Sequence, residues 1–395
     1  MAEPEIPLAA VSGSLLLGGS STFLLNLTRA FQARGLQLPI VVLSEDNEHA
    51  RDFAALAAPV KLISTRPIYE DRLRMAYEEL ARWRPRAVLA CLGGNSFEML
   101  QLVPPGVARL GIIQSHDPGP HLTVQRYIDW IDAVVGVSQK ICEHARSVPE
   151  VGRRRVECIP YGISFGPCVE RSATRPGDPL RIIYLGRMSE VQKRVSRLVE
   201  LVKLLEARGA NFQFTFAGSG AQQADMQSAL SGMPSVKFLG EVPNDTVPAL
   251  LAAHDVLVLL SDFEGLPLSL LEAMGAGVVP VVSDLESGIR DVVTAATGVR
   301  VPIGDVPAAA EAILALAQHR SRLAALSDAA ARRAREEYSA ARMAERYLEL
   351  IGELAPSPVP WPASVEVPAP RGVKPAWLHR GWPRVARRWI KRVIS

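Results

Sequence analysis

The sequence of 395 residues contains no apolar run that reaches the roughly 18 residues needed to cross a membrane. It also has no Lys or Arg before Arg29, whereas a signal peptide begins with a basic segment. We therefore expect neither a membrane span nor a signal peptide. The expected location is cytoplasmic, with attachment at most to the inner face of a membrane.

Cysteine is scarce, with four residues at Cys91, Cys142, Cys158 and Cys168, and no Cys-x-x-Cys pair occurs. Their wide spacing, without nearby clusters of histidine, argues against a structural zinc site and against a disulfide framework. We expect these residues to be small, buried and apolar in a reducing compartment.

A strong net charge is missing as well. The formal charge is +3 and 48% of the residues are hydrophobic, which is typical of a globular chain and not of a nucleic-acid-binding or disordered one. The charge is unevenly placed, because residues 371–395 contain eight Lys or Arg and no acid, which leaves −5 on the other 370 residues.

The basic tail has an amphipathic pattern. Its last dozen residues place apolar side chains on one half of a helix and basic side chains on the other half. This pattern is typical of an interfacial helix attracted to anionic lipid, and docking on an acidic surface of the first domain or of a partner is the alternative. The residues assigned to this membrane tail are Trp382, Arg387, Arg388, Trp389, Lys391 and Arg392.

Short apolar runs alternate with helix-like segments along most of the chain. The predicted strands are residues 6–17, 38–43, 60–63, 87–91, 109–114, 133–137, 181–185, 213–217, 236–239, 256–260 and 278–282. Such alternation predicts βαβ units and parallel sheets. Glycines and prolines interrupt it between residues 161 and 179, which indicates a linker between two doubly wound domains.

The domain prediction follows from this rhythm. It comprises a first Rossmann-like domain (1–165), a linker (166–180), a second, nucleotide-sugar-binding Rossmann-like domain (181–335), a helix returning to the first domain (336–354), a Pro-rich spacer (355–376) and the basic tail (377–395). Ligands of open α/β sheets bind beyond the carboxyl ends of the strands, so a ligand held between the two domains is expected.

The most specific stretch is residues 261–277, in which seven residues separate Glu264 from Glu272. A predicted strand ends just before it, Gly265 indicates a turn, and Pro267 suits the first position of a helix. Free amides at that helix start favour an anion such as a diphosphate, and carboxylates can accept hydrogen bonds from sugar hydroxyls. For isolated glutamates, a helix cap and a solvated side chain are the alternative.

This segment resembles the glutamate–seven–glutamate motif of family 4 retaining glycosyltransferases, which have the two-domain GT-B fold. The resemblance covers residue 181 to about residue 350 well and the first 165 residues more weakly. It implies an α/β fold of two doubly wound Rossmann-like domains that face a central cleft, with a C-terminal helical extension. It also implies that Glu264 is a catalytic residue beside the donor sugar and that Glu272 binds the ribose.

Two cations fit the same interpretation. Arg187 follows a strand and a glycine, and Lys193 lies where the next helix begins. Such cations can neutralise a diphosphate leaving group, and the resemblance implies that this pair binds the donor diphosphate. Arg194 and Arg197 are interpreted as a solvated face.

Glycine turns occur at two strand ends. Gly18 and Gly19 separate the first strand from a helix, so their amides can approach a phosphate or a sugar; a tight turn alone is the alternative. A second glycine turn, at residues 216–220, and the segment 238–242 resemble the family's loops beside the nucleotide base. Residue 219 is Ser where the family has an acid. The assigned residues are Gly18, Gly19, Leu266 and Leu268 for the diphosphate, and Gly218, Gly220 and Val242 for the base side.

A histidine follows another predicted strand. His116 resembles the family's histidine near the donor sugar and is assigned as catalytic, with a structural histidine as the alternative. Asp117 and His121 are its neighbours in the sequence.

The resemblance implies transfer of a sugar from a nucleotide diphosphate sugar to an acceptor hydroxyl, with retention, in cell-surface glycan or glycolipid synthesis. The sequence has no Asp-x-Asp motif, which agrees with the metal independence that the resemblance implies. We expect no cofactor, no metal and no nucleic-acid partner. The alternatives are an epimerase or a phosphorylase on the same fold, or a non-catalytic nucleotide-sugar-binding module.

Overall fold

The computed structural model describes residues 6–15, 18–44, 50–63, 69–166, 177–355, 357, 359–362 and 364–367. Its strands are β1 (Leu8–Ser12), β2 (Ile40–Val42), β3 (Val60–Leu62), β4 (Ala87–Ala90), β5 (Ala108–Ile113), β6 (Ala133–Gly136), β7 (Arg155–Cys158), β8 (Leu180–Leu185), β9 (Phe212–Ala217), β10 (Val236–Gly240), β11 (Val256–Leu259), β12 (Val279–Ser283) and β13 (Val299–Val301).

The helices lie between these strands and after them. They are α1 (Gly19–Gln32), α2 (Ala50–Ala55), α3 (Tyr69–Trp83), α4 (Gly94–Glu98), α5 (Pro118–Arg126), α6 (Gln139–Ser147), α7 (Pro149–Gly152), α8 (Glu190–Lys193), α9 (Val195–Ala207), α10 (Gln223–Ala229), α11 (Val247–Ala252), α12 (Leu268–Gly275), α13 (Gly288–Val292), α14 (Val306–Gln318), α15 (Arg320–Glu337) and α16 (Ala340–Leu354).

The described strands form two parallel sheets, which confirms the α/β prediction. The first has the order β3-β2-β1-β4-β5-β6-β7 and the second the order β10-β9-β8-β11-β12-β13. Most strands are buried on both faces, because helices cover both sides of a parallel sheet. The strand order reverses between β1 and β4 and between β8 and β11, and each reversal opens a crevice at the carboxyl ends of the strands.

The chain crosses back to the first domain near its end. Ile163, which follows the first sheet, donates its amide to the carbonyl of Tyr338 at 2.9 Å, just before α16 begins. The apolar face of α16 then packs on α1, where the rings of Phe23 and Tyr347 lie 6.3 Å apart. Burial of these faces joins the C-terminal helix to the first domain.

The first residues after α16, in the described part of the predicted spacer 355–376, pack against the first domain. Trp361 is only 7% exposed and its ring lies 5.7 Å from that of Tyr77. The Tyr77 hydroxyl donates to the carbonyl of Pro362 at 2.8 Å. Burial of a large aromatic side chain therefore holds this Pro-rich segment against the first domain.

Other predictions concern residues outside the described part of the chain. These are most of the linker, Cys168 and the basic tail, so the membrane-surface interpretation stays a prediction. The remaining three cysteines are buried free thiols, as expected. Among the described helices, none is long and apolar enough to cross a membrane.

Candidate functional site

The carboxyl ends of the two sheets face each other across a narrow cleft. A methyl group at Gly265 would lie 2.4 Å from the carbonyl oxygen of Gln114, which follows β5 of the first domain. A methyl group at Gly19, at the start of α1, would lie 3.7 Å from Leu268 Cδ1 at the start of α12. Ser20 also donates to Gln114 Oε1 at 2.8 Å. Two helix N-termini and the turn that carries Glu264 therefore meet in one place.

Glu264 is the central acidic group of this cleft. It is 5% exposed, and its Oε1 accepts hydrogen bonds from Lys193 Nζ at 2.6 Å and from the Ser261 hydroxyl at 2.7 Å. Its Oε2 accepts from Gln192 Nε2 at 3.2 Å. Buried carboxylates persist where they are paired and hydrogen-bonded, and these contacts fix the side chain in one orientation.

The pairing of Lys193 with Glu264 was not predicted, although both residues were assigned to the site. Lys193 is the last residue of the short helix α8, and its side chain is 13% exposed. Gln192 and Ser261 were missed. Their signals in the sequence are weak, because both are common polar residues. Gln192 is notable only as the neighbour of Lys193, and Ser261 only for lying three residues before Glu264.

Arg194 and Arg197, which were interpreted as a solvated face, are ion-paired, and their side chains are 41% and 20% exposed. Both bind the carboxylate of Asp262, and Arg197 Nη1 also donates to the carbonyl of Leu260 at 2.9 Å. Burial alone would raise the pKa of Asp262, but hydrogen bonds from the two guanidinium groups hold it below its ordinary value. The two arginines brace the turn that carries Glu264.

The glycine turn after β9 lies directly on the loop that carries Arg187. A Cβ atom at Gly218 would lie 2.1 Å from the carbonyl oxygen of Gly186, and one at Gly220 would lie 2.1 Å from that of Met188. Both glycines have positive φ angles, of 122° and 158°. Glycine is therefore required for this close approach of two backbone segments.

Arg187 itself is exposed beside this turn. Its backbone carbonyl accepts from the Tyr184 hydroxyl at 2.7 Å, which fixes the loop, while its guanidinium Nη2 makes a long contact of 3.4 Å to Gln192. Ser219 donates to Glu241 at 2.6 Å, next to the half-buried Val242. A serine at the family's acidic position is thus paired with an acid from the following strand end.

Glu272 lies about one turn along α12. It faces a cavity of about 460 Å³ between α1 and α11. This cavity adjoins the cleft but is not lined by Arg187 or Lys193. Among the described residues, no hydrogen bond or ion pair is made by the Glu272 carboxylate. Burial raises its pKa to about 7. An unpaired acceptor at the edge of a cavity is suited to ligand hydroxyl groups.

This burial predicts a pH-dependent stability. The unfolded chain loses the Glu272 proton near pH 4.5 and the folded chain near pH 7, so folding becomes less favourable as the pH rises between these values. Between pH 4.5 and pH 8 the wild type should therefore lose about 3 kcal/mol of unfolding free energy that Glu272→Gln does not lose. Urea denaturation at both pH values measures this.

The control for that experiment is Glu349→Gln, which removes an exposed carboxylate on α16. Its difference from the wild type should not grow with pH in the same interval. Parallel pH dependences for wild type and Glu272→Gln would contradict the account, because burial would then not destabilise the charged form of Glu272.

His116 lies on the first-domain side of the cleft, one residue beyond Ser115, whose Cα would be 3.4 Å from a methyl group at Gly265. Its Nε2 atom is buried without a hydrogen-bond partner. Burial lowers its pKa, and the nearby His144 and Lys140 lower it further. A neutral imidazole on this side of the cleft can exchange hydrogen bonds with a sugar hydroxyl.

The described residues contain no group of three or more His, Cys, Asp or Glu side chains that could hold a metal ion. Arg187 and Lys193 are cationic groups of this site, and Lys193 lies 2.6 Å from Glu264.

The second half of the chain is similar to known proteins. Residues 179–319 match the family model for glycosyl transferases group 1. The matched region contains all four of the assigned charged residues, Arg187, Lys193, Glu264 and Glu272. Membership of family 4 in particular stays a prediction.

Curated relatives align with the same domain. The amylovoran biosynthesis glycosyltransferase AmsK of Erwinia amylovora is 33% identical over 150 residues, which are 35% of this chain and 36% of that protein. A GDP-mannose:cellobiosyl-diphosphopolyprenol alpha-mannosyltransferase of Xanthomonas oryzae pv. oryzae is 28% identical over 174 residues, 43% of this chain and 45% of that protein. The matched region thus spans less than half the length of these relatives.

Solved structures match both domains. HepE of Anabaena, in complex with UDP and glucose, matches 88% of this chain and 100% of that chain with a TM-score of 0.70 and 14% sequence identity. The fold is therefore GT-B, as predicted.

Proposed function

We propose that the chain is a retaining, metal-independent glycosyltransferase that moves a sugar from a nucleotide diphosphate sugar to an acceptor hydroxyl. The observation that carries this proposal is the ion pair of Lys193 and Glu264, which are 2.6 Å apart at the point where the strand order of the second sheet reverses. The first domain lies against this site, since Gln114 approaches Gly265 closely. An ammonium and a carboxylate side by side offer one group for a phosphate and another for sugar hydroxyls.

The diphosphate would lie between the cations and the N-terminus of α12. Lys193, Arg187 and the free amides of that helix supply positive charge where the leaving group becomes negative as the bond to the sugar breaks. Glu264 and His116 would orient the sugar from opposite sides of the cleft. The acceptor hydroxyl attacks the anomeric carbon on the leaving-group face, and its proton passes to the departing diphosphate oxygen.

The nucleoside would occupy the Glu272 end of the cleft. The unpaired carboxylate can accept hydrogen bonds from two ribose hydroxyls, and the adjoining cavity has both apolar walls, such as Val247, and polar groups, such as Asn244. The charged form of Glu272 gains hydrogen bonds when the nucleotide binds, which offsets part of the cost of its burial.

We further propose an acceptor that is a cell-surface glycan or a lipid-linked glycan. Two relatives support this class, since one is named for the synthesis of amylovoran and another for a diphosphopolyprenol-linked acceptor. Both align with the second, donor-side domain. The acceptor proposal therefore rests on sequence similarity to these relatives and not on contacts of the first domain.

The experiment that tests the proposal is thermal unfolding with UDP, GDP, ADP, dTDP and their sugars in the presence of EDTA. We expect one diphosphate to raise Tm and one of its sugars to raise it further, because ligands that bind the folded state stabilise it. Stabilisation that needs a divalent ion would contradict metal independence. The absence of a shift with every compound would contradict the proposed donor site.

A further inference from the structure

A second contact between the domains lies away from Glu264, at the start of α6. The amide of Gln139, the first residue of that helix, donates to Asp291 Oδ2 of the second domain at 2.8 Å. Just before the helix, the hydroxyl of the N-cap residue Ser138 accepts from the amide of Ile141 at 3.3 Å. The amides of the first helical turn have no partner inside the helix, and a carboxylate placed there also interacts favourably with the helix dipole. An acid of one domain therefore caps a helix of the other.

Asp291 is held rigidly on its own side. Its backbone carbonyl accepts from Arg333 Nη2 at 2.9 Å and from the Tyr338 hydroxyl at 3.1 Å, both near the end of α15. The half-buried carboxylate faces charged or titratable groups on other elements, namely Glu143 on α6, His116 after β5, and Arg333. Burial raises the pKa of Asp291, and the hydrogen bond from Gln139 opposes that rise. The amide is the hydrogen-bond donor that offsets the desolvation of this carboxylate.

The neighbouring ion pair at the same interface is of a different kind. Lys140 Nζ lies 3.2 Å from Glu286 Oε2, but the side chains are 46% and 62% exposed. Exposed pairs contribute little, because solvent screens them and both side chains lose conformational freedom. The contact that can hold the domains together at this edge is therefore the one made by Asp291.

This contact lies on the side of the cleft that carries His116. The strand β6, which leads into α6, pairs with β5, which leads into His116. Lys140 and His144 of α6 are also near enough to His116 to shift its pKa. A displacement of the start of α6 would therefore displace the surroundings of the histidine relative to Glu264.

We infer that Asp291 is a positioning residue that latches the closed cleft by capping α6 across the domain boundary. It has no place in the sequence motif, and its role in transfer rests on the proposed function. The latch would set how the first-domain loop with His116 closes over the donor sugar. The charged donor-binding residues Arg187, Lys193 and Glu272 belong to the second domain and keep their positions without it.

The test compares Asp291→Ala with Asp291→Asn, since asparagine keeps one carbonyl oxygen that can accept from Gln139. We expect kcat/KM for transfer to fall about tenfold in Asp291→Ala and by no more than about threefold in Asp291→Asn, because a neutral acceptor replaces a charged one. The affinity for the nucleotide diphosphate should remain at the wild-type value in both. Glu286→Ala, which removes the exposed pair at the same interface, is the matched control.

A second readout does not depend on activity. Hydrogen exchange of the peptide at the start of α6 should be faster in Asp291→Ala than in the wild type, intermediate in Asp291→Asn and unchanged in Glu286→Ala. If the wild type transfers no sugar, the proposed function fails, yet the exchange order still tests the latch. Exchange and kcat/KM at wild-type values in Asp291→Ala would overturn the inference, and equal losses in the Asn and Ala variants would also overturn it.

Discussion

Glu264→Gln is expected to lower sugar transfer by about a thousandfold or more, because a fixed charge at the reacting centre is lost from a site that excludes water. The glutamine has nearly the same shape, so the surrounding turn should persist. Lys193 loses its ion-pair partner in the variant, and an unpaired, largely buried cation lowers the stability of the free protein. A bound diphosphate replaces that partner.

Nucleotide binding is therefore the internal control for this variant. The rise in Tm with the diphosphate should be at least as large in Glu264→Gln as in the wild type, since the carboxylate no longer competes for Lys193. Glu206→Gln, on α9 and hydrogen-bonded by Ser235 at 3.2 Å, is the matched substitution outside the cleft and should retain full activity. Transfer within tenfold of the wild-type rate would show that Glu264 has no direct role.

Gly265→Ala is expected to lower transfer by about a hundredfold, the loss typical of a displacement of roughly 1 Å at a reacting centre. The added methyl group would lie 2.4 Å from the carbonyl oxygen of Gln114, and backbone on the facing side has no rotamer through which to move away. The domains must then stay further apart. The nucleotide should still bind with an affinity within about threefold of the wild type, because Lys193 and Glu272 are in the second domain.

Steady-state kinetics and nucleotide titration together check this expectation. Gly352→Ala is a suitable control, since a methyl group there, in α16, meets no atom within 4 Å. Normal transfer by Gly265→Ala would mean that the tight approach to Gln114 is not part of the reactive state. Loss of nucleotide binding together with transfer would instead indicate damage to the second domain.

The two sheets were predictable because their central strands are short apolar runs, and such runs between helices have few other structures available. The strands β7 (Arg155–Cys158) and β13 (Val299–Val301) were not predicted. Both lie at the edge of a sheet, where charged side chains such as Arg155 and Arg300 are tolerated. An edge strand has one solvated side and thus a weak apolar pattern.

The site was predictable in its residues but not in its contacts. The spacing of Glu264 and Glu272 and the positions of Arg187 and Lys193 can be recognised in the sequence. The pairing of Lys193 with Glu264 depends on the ends of two neighbouring strands, β8 and β11, that are far apart in the sequence. The contact of Asp291 with Gln139 depends on how two domains close, which local patterns do not encode.

The most direct test of the donor-site proposal compares nucleotide diphosphate binding to the wild type and to Lys193→Met in EDTA. Methionine retains most of the side-chain length without the charge, and Lys203→Met, at an exposed position of α9, is the control. We expect the wild type and the control to bind one diphosphate equally and Lys193→Met to bind it at least about tenfold more weakly, since a charge-assisted hydrogen bond is lost. Equal affinities for all three proteins would contradict the proposal that this lysine holds the leaving group.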